Sequence, residues 1–182
     1  MSSSGPLAPT STGQTGSGVA WDSPHFILAD DGTPCEADFV LSGDANSTQL
    51  ESGFTFAIPA GAIVQGIVLE IRRKGSDVAM AGGDIWDSLV KLLKSGAAVG
   101  SSKASWSPWP TSFAYATYGS SSDLWGTTWT AAEINGSFGA RQIAQNIYTD
   151  SNDAQAYVDH HRITVYYSEP SGGGMASMTG VG

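Results

Sequence analysis

Alternating hydrophobic and polar positions recur along the middle of the chain, and they predict β-strands. Over residues 48–58, Leu50, Phe54 and Ile58 lie on one side and polar or small residues lie on the other. A period of two residues is the pattern of a strand that buries one face. The same alternation follows in residues 63–75, after a short Pro-Ala-Gly-Ala turn. We therefore predict two neighbouring strands that share a core.

Three further segments fit the same interpretation. The apolar spacing of 87–100 is compatible with a short helix, but its brevity and the hairpin-like Lys-Ser-Gly sequence ending at Gly96 favour a strand. Residues 137–149 and 154–168 are predicted to form the last two strands.

In the last predicted strand, strict alternation places Tyr157, Asp159 and His161 on one face, and Val158 and His160 on the other. Adjacent histidines in a regular strand point to opposite faces, so the pair cannot hold one metal ion together. We predict that one histidine packs inside and the other lies on the surface, and that there is no metal site.

A single short helix is predicted in the sequence WTAAEIN. Thr130 is an N-cap candidate, Glu133 completes a capping box, and Asn135-Gly136 ends the segment. Several strands separated by loops, without alternating helices, indicate an all-β fold. We predict an antiparallel two-sheet β-sandwich of jelly-roll type.

Composition supports one domain with two terminal extensions. A chain of 182 residues, 41% of them hydrophobic, can bury one sizeable core. Residues 1–18 are mostly Ser, Gly, Thr and Pro and are predicted to be a flexible N-terminal arm. Residues 169–182 are predicted to be a Gly-rich C-terminal tail, which leaves 19–168 as the sandwich domain.

Charge and cysteine content exclude several classes of function. A net charge of −9 argues against nucleic acid as a partner. No signal-like segment and no apolar run of about 18 residues occurs, so membrane insertion is not expected. Cys35 has no second cysteine to pair with, and the acids beside it disfavour a reactive thiolate.

Acidic residues cluster in three stretches that could form turns or bind calcium. They are Asp30 and Asp31, Asp84 and Asp87, and Asp150 and Asp153. The spacing does not match an EF-hand loop, and turn formation is the favoured interpretation. Strand spacing does not single out a carboxylate pair for glycoside hydrolysis, and no catalytic triad order or phosphate-binding loop appears. We therefore expect a non-enzymatic protein without cofactors.

Aromatic residues are concentrated in the 24-residue stretch WSPWPTSFAYATYGSSSDLWGTTW. They are Trp106, Trp109, Tyr115, Tyr118, Trp125 and Trp129. Such side chains could close the core, fill a subunit interface or form a sugar-binding shelf. Core packing is the favoured interpretation, with Trp125 and Trp129 buried under the short helix.

Four blocks of the sequence carry a resemblance to a known family. They are TQLESGFTFAIPAGAIVQGIVLEIRRK, DSLVKLLKSGAAVGSSKA, YGSSSDLWGTTWTAAEINGSFGAR and AYVDHHRITVYY. Their order and spacing over residues 18–168 resemble a β-sandwich module of structural proteins in tailed bacteriophages and related bacterial surface proteins. The resemblance implies a non-enzymatic virion protein made in the host cytoplasm, either a tail, baseplate or fibre component or a capsid decoration protein.

Assembly of such a protein is expected to depend on its terminal arms. The expected partners are other virion proteins and copies of the chain itself; the alternative function is a carbohydrate-binding module for host-surface glycan. The candidate partner contacts are the bulkiest residues of the arms, Pro6, Leu7, Pro9, Met175 and Met178.

Overall fold

The computed structural model describes residues 1–40, 46–76, 85–147 and 154–169. These ranges contain eleven strands and one α-helix, with a 3₁₀ turn at Pro24–Leu28. The strands are β1 (Ser2–Leu7), β2 (Ser11–Thr15), β3 (Trp21–Asp22), β4 (Cys35–Phe39), β5 (Gln49–Phe54), β6 (Ile63–Gly75), β7 (Ile85–Lys94), β8 (Ala97–Val99), β9 (Ala114–Ser120), β10 (Phe138–Asn146) and β11 (Ala154–Ser168); the helix is α1 (Ala131–Asn135). None of the helices in these ranges is long and apolar enough to cross a membrane.

Two antiparallel sheets pack against each other, so the predicted all-β sandwich is confirmed. The first, called here the β11 sheet, has the order β3-β4-β11-β6-β9, and β1 also pairs with β11. The second, the β10 sheet, has the order β2-β5-β10-β7-β8. The predicted strands correspond to β5, β6, β7 with β8, β10 and β11.

The N-terminal segment is part of both sheets, which corrects the prediction of a flexible arm over 1–18. The strand β1 pairs with the C-terminal half of β11, and β2 pairs with β5. Because β11 is 15 residues long and β4 covers only its first part, β1 can bind the edge that remains. This pairing uses backbone hydrogen bonds, which a Ser/Thr/Gly sequence supplies without an apolar pattern. The predicted tail falls, from residue 170 onward, outside the described ranges.

The aromatic stretch closes the core, as predicted. Trp109, Trp125 and Trp129 are buried, and the indole of Trp125 donates to the backbone oxygen of Ile67. Trp106 and Tyr115 are exceptions, because Trp106 has 80% of its surface exposed and Tyr115 is only half-buried. The helix α1 begins with the predicted capping box, in which Thr130 and Glu133 bind each other's backbone N–H groups.

A bulge in β11 changes which side chains face the core. Val158 pairs with Arg73 of β6 and His160 pairs with Arg72, so Asp159 is the extra residue. An extra residue shifts the alternation by one position. Val158 and His161 are therefore both buried in the core, and Tyr157 is only half-buried on the outer face. The predicted grouping of Tyr157 with His161 is wrong for this reason.

Candidate functional site

Ionisable side chains converge on the outer face of the β11 sheet, around the bulge. His160 of β11, Arg72 of β6 and Tyr115 of β9 are neighbours in one cross-strand row. Asp159 lies at the bulge itself, and Asp30 reaches the cluster from the loop after the 3₁₀ turn. Five residues from four separate parts of the chain thus form one polar cluster.

Arg72 links two carboxyl groups that differ in solvent exposure. Its Nη1 donates to Oδ2 of Asp159 and lies 3.1 Å from Oδ1 of Asp30. The side chain of Asp159 is fully buried, whereas that of Asp30 is 43% exposed. The second oxygen of Asp159, Oδ1, has no hydrogen-bond partner among the described residues. The Arg72 guanidinium therefore binds one buried carboxyl, that of Asp159, and one solvent-exposed carboxyl, that of Asp30.

These surroundings move the two carboxyl pKa values in opposite directions. Burial raises the pKa of Asp159. The hydroxyl of Tyr115 donates to Oδ2 of Asp30 at 2.8 Å, and this bond lowers the pKa of Asp30. The proximity of the two carboxyls widens this difference, because it lowers the pKa of Asp30 and raises that of Asp159. Between the two pKa values the pair holds a single proton, on Asp159.

Tyr115 is fixed by its neighbours as a neutral phenol. Burial, and then its bond to Asp30, raises the pKa of Tyr115 to about 12. Its hydroxyl lies 3.0 Å from Nδ1 of His160. Because the single phenolic proton is donated to Asp30, Nδ1 of His160 must be the donor in this second bond. The guanidinium of Arg162, paired with Glu70, lies 3.8 Å above the Tyr115 ring centroid.

The two other histidines lie outside this cluster. His161 is fully buried, and its Nδ1 is 2.9 Å from the hydroxyl of Ser52 on the opposite sheet. His25 is exposed in the 3₁₀ turn. The prediction that His160 and His161 face opposite ways is confirmed, but the prediction that one of them lies on the surface is wrong, because His160 is covered by the cluster. No group of three His, Cys, Asp or Glu residues within the described ranges is arranged for a metal ion.

The predicted turn aspartates have different surroundings. Asp31 accepts a bond from the backbone N–H of Thr33, as a turn residue does. Asp87 is instead buried in an ion pair with Arg73, and Trp109 and Tyr118 both donate to it. The turn interpretation of Asp87 is therefore wrong. Asp84, Asp150 and Asp153 fall outside the described ranges.

The candidate partner contacts are only partly available. Pro6 is exposed, but Leu7 packs against the chain's own core and Pro9 is buried. Met175 and Met178 fall outside the described ranges. Their predicted contacts with other chains stay predictions. Cys35 is buried, and burial rather than the neighbouring acids is the main cause of the raised pKa of its thiol.

A shallow groove of about 360 Å³ lies on the outer face of the β10 sheet, away from the cluster. Gly53 and Gly139 form its floor, and side chains there would collide with Ser11 or with backbone. Its ionisable lining residue, Glu51, is paired with Arg141 at 2.5 Å. The groove could therefore hold a small molecule, but the cluster of acid–base side chains lies on the other sheet.

Comparison with known proteins gives a distant likeness in structure. No protein-family model matches the chain, and no curated protein matches it in sequence. A Stig cyclase, Fisc, from Fischerella sp. TAU, in complex with (3Z)-3-(1-methyl-2-pyrrolidinylidene)-3H-indole, is similar at 12% identity and a TM-score of 0.46, over 87% of this chain and 75% of that one.

Two further cyclase structures from Fischerella sp. TAU are similar to the same degree. One, in complex with 4-(1H-indol-3-yl)butan-2-one, has 12% identity and a TM-score of 0.44, over 90% of this chain and 82% of that chain. The other has 12% identity and a TM-score of 0.46, over 90% of this chain and 81% of that chain.

These findings correct the expectation of a non-enzymatic virion protein. The three similar structures are cyclases, and none of them is a phage protein. That function and its glycan-binding alternative are therefore withdrawn. At this identity and TM-score, the likeness assigns no activity or residue role to this chain. The resemblance to the phage module and the predicted partners and location are untested and stay predictions.

Proposed function

We propose that this protein is an enzyme that catalyses proton transfer on a small organic substrate, with Asp30 and Asp159 as its acid–base pair. One observation carries the proposal: a single guanidinium, that of Arg72, binds a fully buried carboxyl and a half-open carboxyl. The two carboxyls share one counter-charge, and their surroundings move their pKa values in opposite directions.

Asp30 is the member of the pair that can touch a substrate, since 43% of its side chain is exposed. As a base, it takes a proton from a C–H, N–H or O–H bond of the substrate, and the electron pair stays on the substrate. Asp30 then donates this proton to a different electron-rich atom of the substrate. The net reaction is an isomerisation or an addition, and it needs no oxidant or reductant. Asp159 is the buried member of the pair, and Arg72 contacts both carboxyls, so a change in the charge of one affects the pKa of the other.

Tyr115 and His160 are positioning residues in this scheme. The Tyr115 hydroxyl fixes Oδ2 of Asp30, and the Nδ1–H of His160 holds the phenol oxygen in turn. Because burial lowers the pKa of His160, its ring is neutral at neutral pH and adds no second cation beside Arg72. The arrangement keeps the open carboxylate in one orientation before a substrate arrives.

Solvent-exchange measurements test the proposal. Small ketones and oxo acids are incubated with the protein in D₂O, and loss of their α-proton signals is followed by NMR. The variant Asp30→Asn should exchange α-protons at least about 100-fold more slowly than wild type, because removing a general base typically slows a reaction by that factor. Asp31→Asn is the matched control, since Asp31 is the neighbouring turn residue, and it should retain the rate.

Carboxyl-detected ¹³C NMR provides the accompanying measurement. Asp30 should ionise at lower pH than Asp159, with each signal responding to the other's titration. Absence of protein-dependent exchange with every compound, together with carboxyl signals that titrate at one common midpoint, would refute the proposal.

A further inference from the structure

Lys74 lies on the same outer face of β6 as Arg72, two residues further along the strand. Its Nζ is 5.0 Å from the ring centroid of Phe113 and 4.7 Å from that of Tyr157. Within the described ranges, no carboxylate lies within ion-pair distance of this ammonium group. The cations beside it differ, because Arg72 and Arg162 are both bound to carboxylates.

An ammonium group near two aromatic rings is attracted by the negative faces of both rings. Glu36 is the acid nearest to it along the same cross-strand row, with Tyr157 between them. Two strand spacings separate Glu36 from Lys74, about 10 Å. Burial raises the pKa of Tyr157, and the nearby Glu36 carboxyl raises it further. Lys74 therefore presents positive charge to solvent at the edge of the cluster.

We propose that Lys74 binds the carboxylate of a small organic acid whose reacting atom then lies over Asp30, an inference that rests on the proposed function. Lys74 and Arg72 are two residues apart on one strand face, about 7 Å. Arg72 is 3.1 Å from the open carboxyl of Asp30. A molecule with about four or five bonds between its carboxylate carbon and its reactive carbon spans such a separation.

The positive charge of Lys74, unpaired among the described residues, contrasts with the negative net charge of the chain. With 17 acidic residues against 8 basic ones, most of the surface repels anions. The rings of Phe113 and Tyr157 also offer apolar walls for the carbon skeleton of a substrate. An organic acid therefore suits this end of the cluster better than a neutral or cationic molecule of the same size.

The test compares three probes that share one ketone end: 4-oxopentanoate, the neutral 5-hydroxypentan-2-one and the cationic trimethyl(4-oxopentyl)ammonium, whose quaternary nitrogen cannot cyclise onto the ketone. Dissociation constants are measured by two-dimensional NMR. We expect 4-oxopentanoate to bind at least about 10-fold more tightly than the other two. Lys74→Gln should remove this preference, and Lys74→Arg should keep it within a few-fold. Lys91→Gln is the matched control, because Lys91 lies on the β10 sheet.

Further arms separate this inference from the proposed function. Asp30→Asn should still bind 4-oxopentanoate, because the lysine remains, although α-proton exchange is lost. Equal binding of the three probes, an unchanged preference in Lys74→Gln, or inorganic phosphate competing as well as the oxo acid would overturn the inference. If 5-hydroxypentan-2-one then still exchanged its protons in an Asp30-dependent way, the proposed function would stand. If Asp30→Asn kept the exchange, the proposed function would fall instead.

Discussion

Acid sensitivity should follow from the burial of His161 between the two sheets. The ring is fully buried, its Nδ1 is bound to the hydroxyl of Ser52, and its Nε2 has no partner among the described residues. Burial lowers the pKa of His161 to about 3, from an ordinary value of 6.5. The folded protein therefore keeps this ring neutral at pH values where the unfolded chain protonates it.

The sign and size of the effect follow from proton linkage. Below pH 6.5 the unfolded state binds one proton more than the folded state, so the free energy of unfolding falls as the pH falls. The stabilisation is fully present above pH 6.5 and is lost progressively down to about pH 3. Each pH unit costs about 1.4 kcal/mol, so two units below 6.5 cost about 3 kcal/mol.

The variant His161→Gln isolates this contribution because glutamine has no proton to gain in this range. Urea unfolding, followed by tryptophan fluorescence, is measured from pH 7.5 to 4.5 for both proteins. The stability difference between wild type and variant should shrink by about 3 kcal/mol toward the acid end, in favour of the variant. Other acid-sensitive groups, such as Asp30, are present in both proteins and cancel in the comparison.

His25→Gln provides the control, since His25 is exposed, and its stability should run parallel to that of wild type across the range. A stability difference between wild type and His161→Gln that stays constant with pH would refute the reasoning. The refutation would mean that a protonated His161 is accommodated inside the folded protein.

Three substitutions test other parts of the fold by urea unfolding. Trp125→Ala should cost about 3–5 kcal/mol because the indole is fully buried, whereas Trp106→Ala should cost little at its exposed position; similar losses would contradict the packing described. Asp87→Asn should destabilise by about 3–5 kcal/mol because it leaves the Arg73 guanidinium buried without a counter-charge; a near-neutral effect would mean that water reaches Arg73. Thr130→Ala should cost about 1 kcal/mol by removing the cap of α1, and restoration by Ser would identify the hydroxyl as the cause.

The strands with one apolar face were predictable, and so was the helix. β5 and β6 bury alternate side chains, which is the direct cause of the two-residue period in their sequence. The capping box of α1 is a local arrangement of Thr130 and Glu133, so neighbouring residues were sufficient to predict it.

The candidate site was not predictable, because the contacts that create it are not local. The bulge at Asp159 adds one residue to β11 without any residue type that marks it in the sequence. The sequence around Asp30 is typical of an ordinary turn. Asp30 reaches Arg72 only because its loop folds over β11. The strand β1 escaped prediction for a related reason, since its place depends on the free edge of β11.

The central position of β11 has a consequence for synthesis on the ribosome. β11 lies between β4 and β6, and it also binds β1, so the last of the described strands joins three strands that precede it in the sequence. Until β11 emerges, one backbone edge of β4 and one of β6 have no hydrogen-bonding partner, and the β11 sheet cannot close. We therefore expect the β11 sheet to form only after β11 has been synthesised, with a rate limited by contacts between distant parts of the chain. Stalled nascent chains that lack 154–169 should be cleaved by protease throughout, and a protected fragment containing β4 and β6 would contradict this order of events.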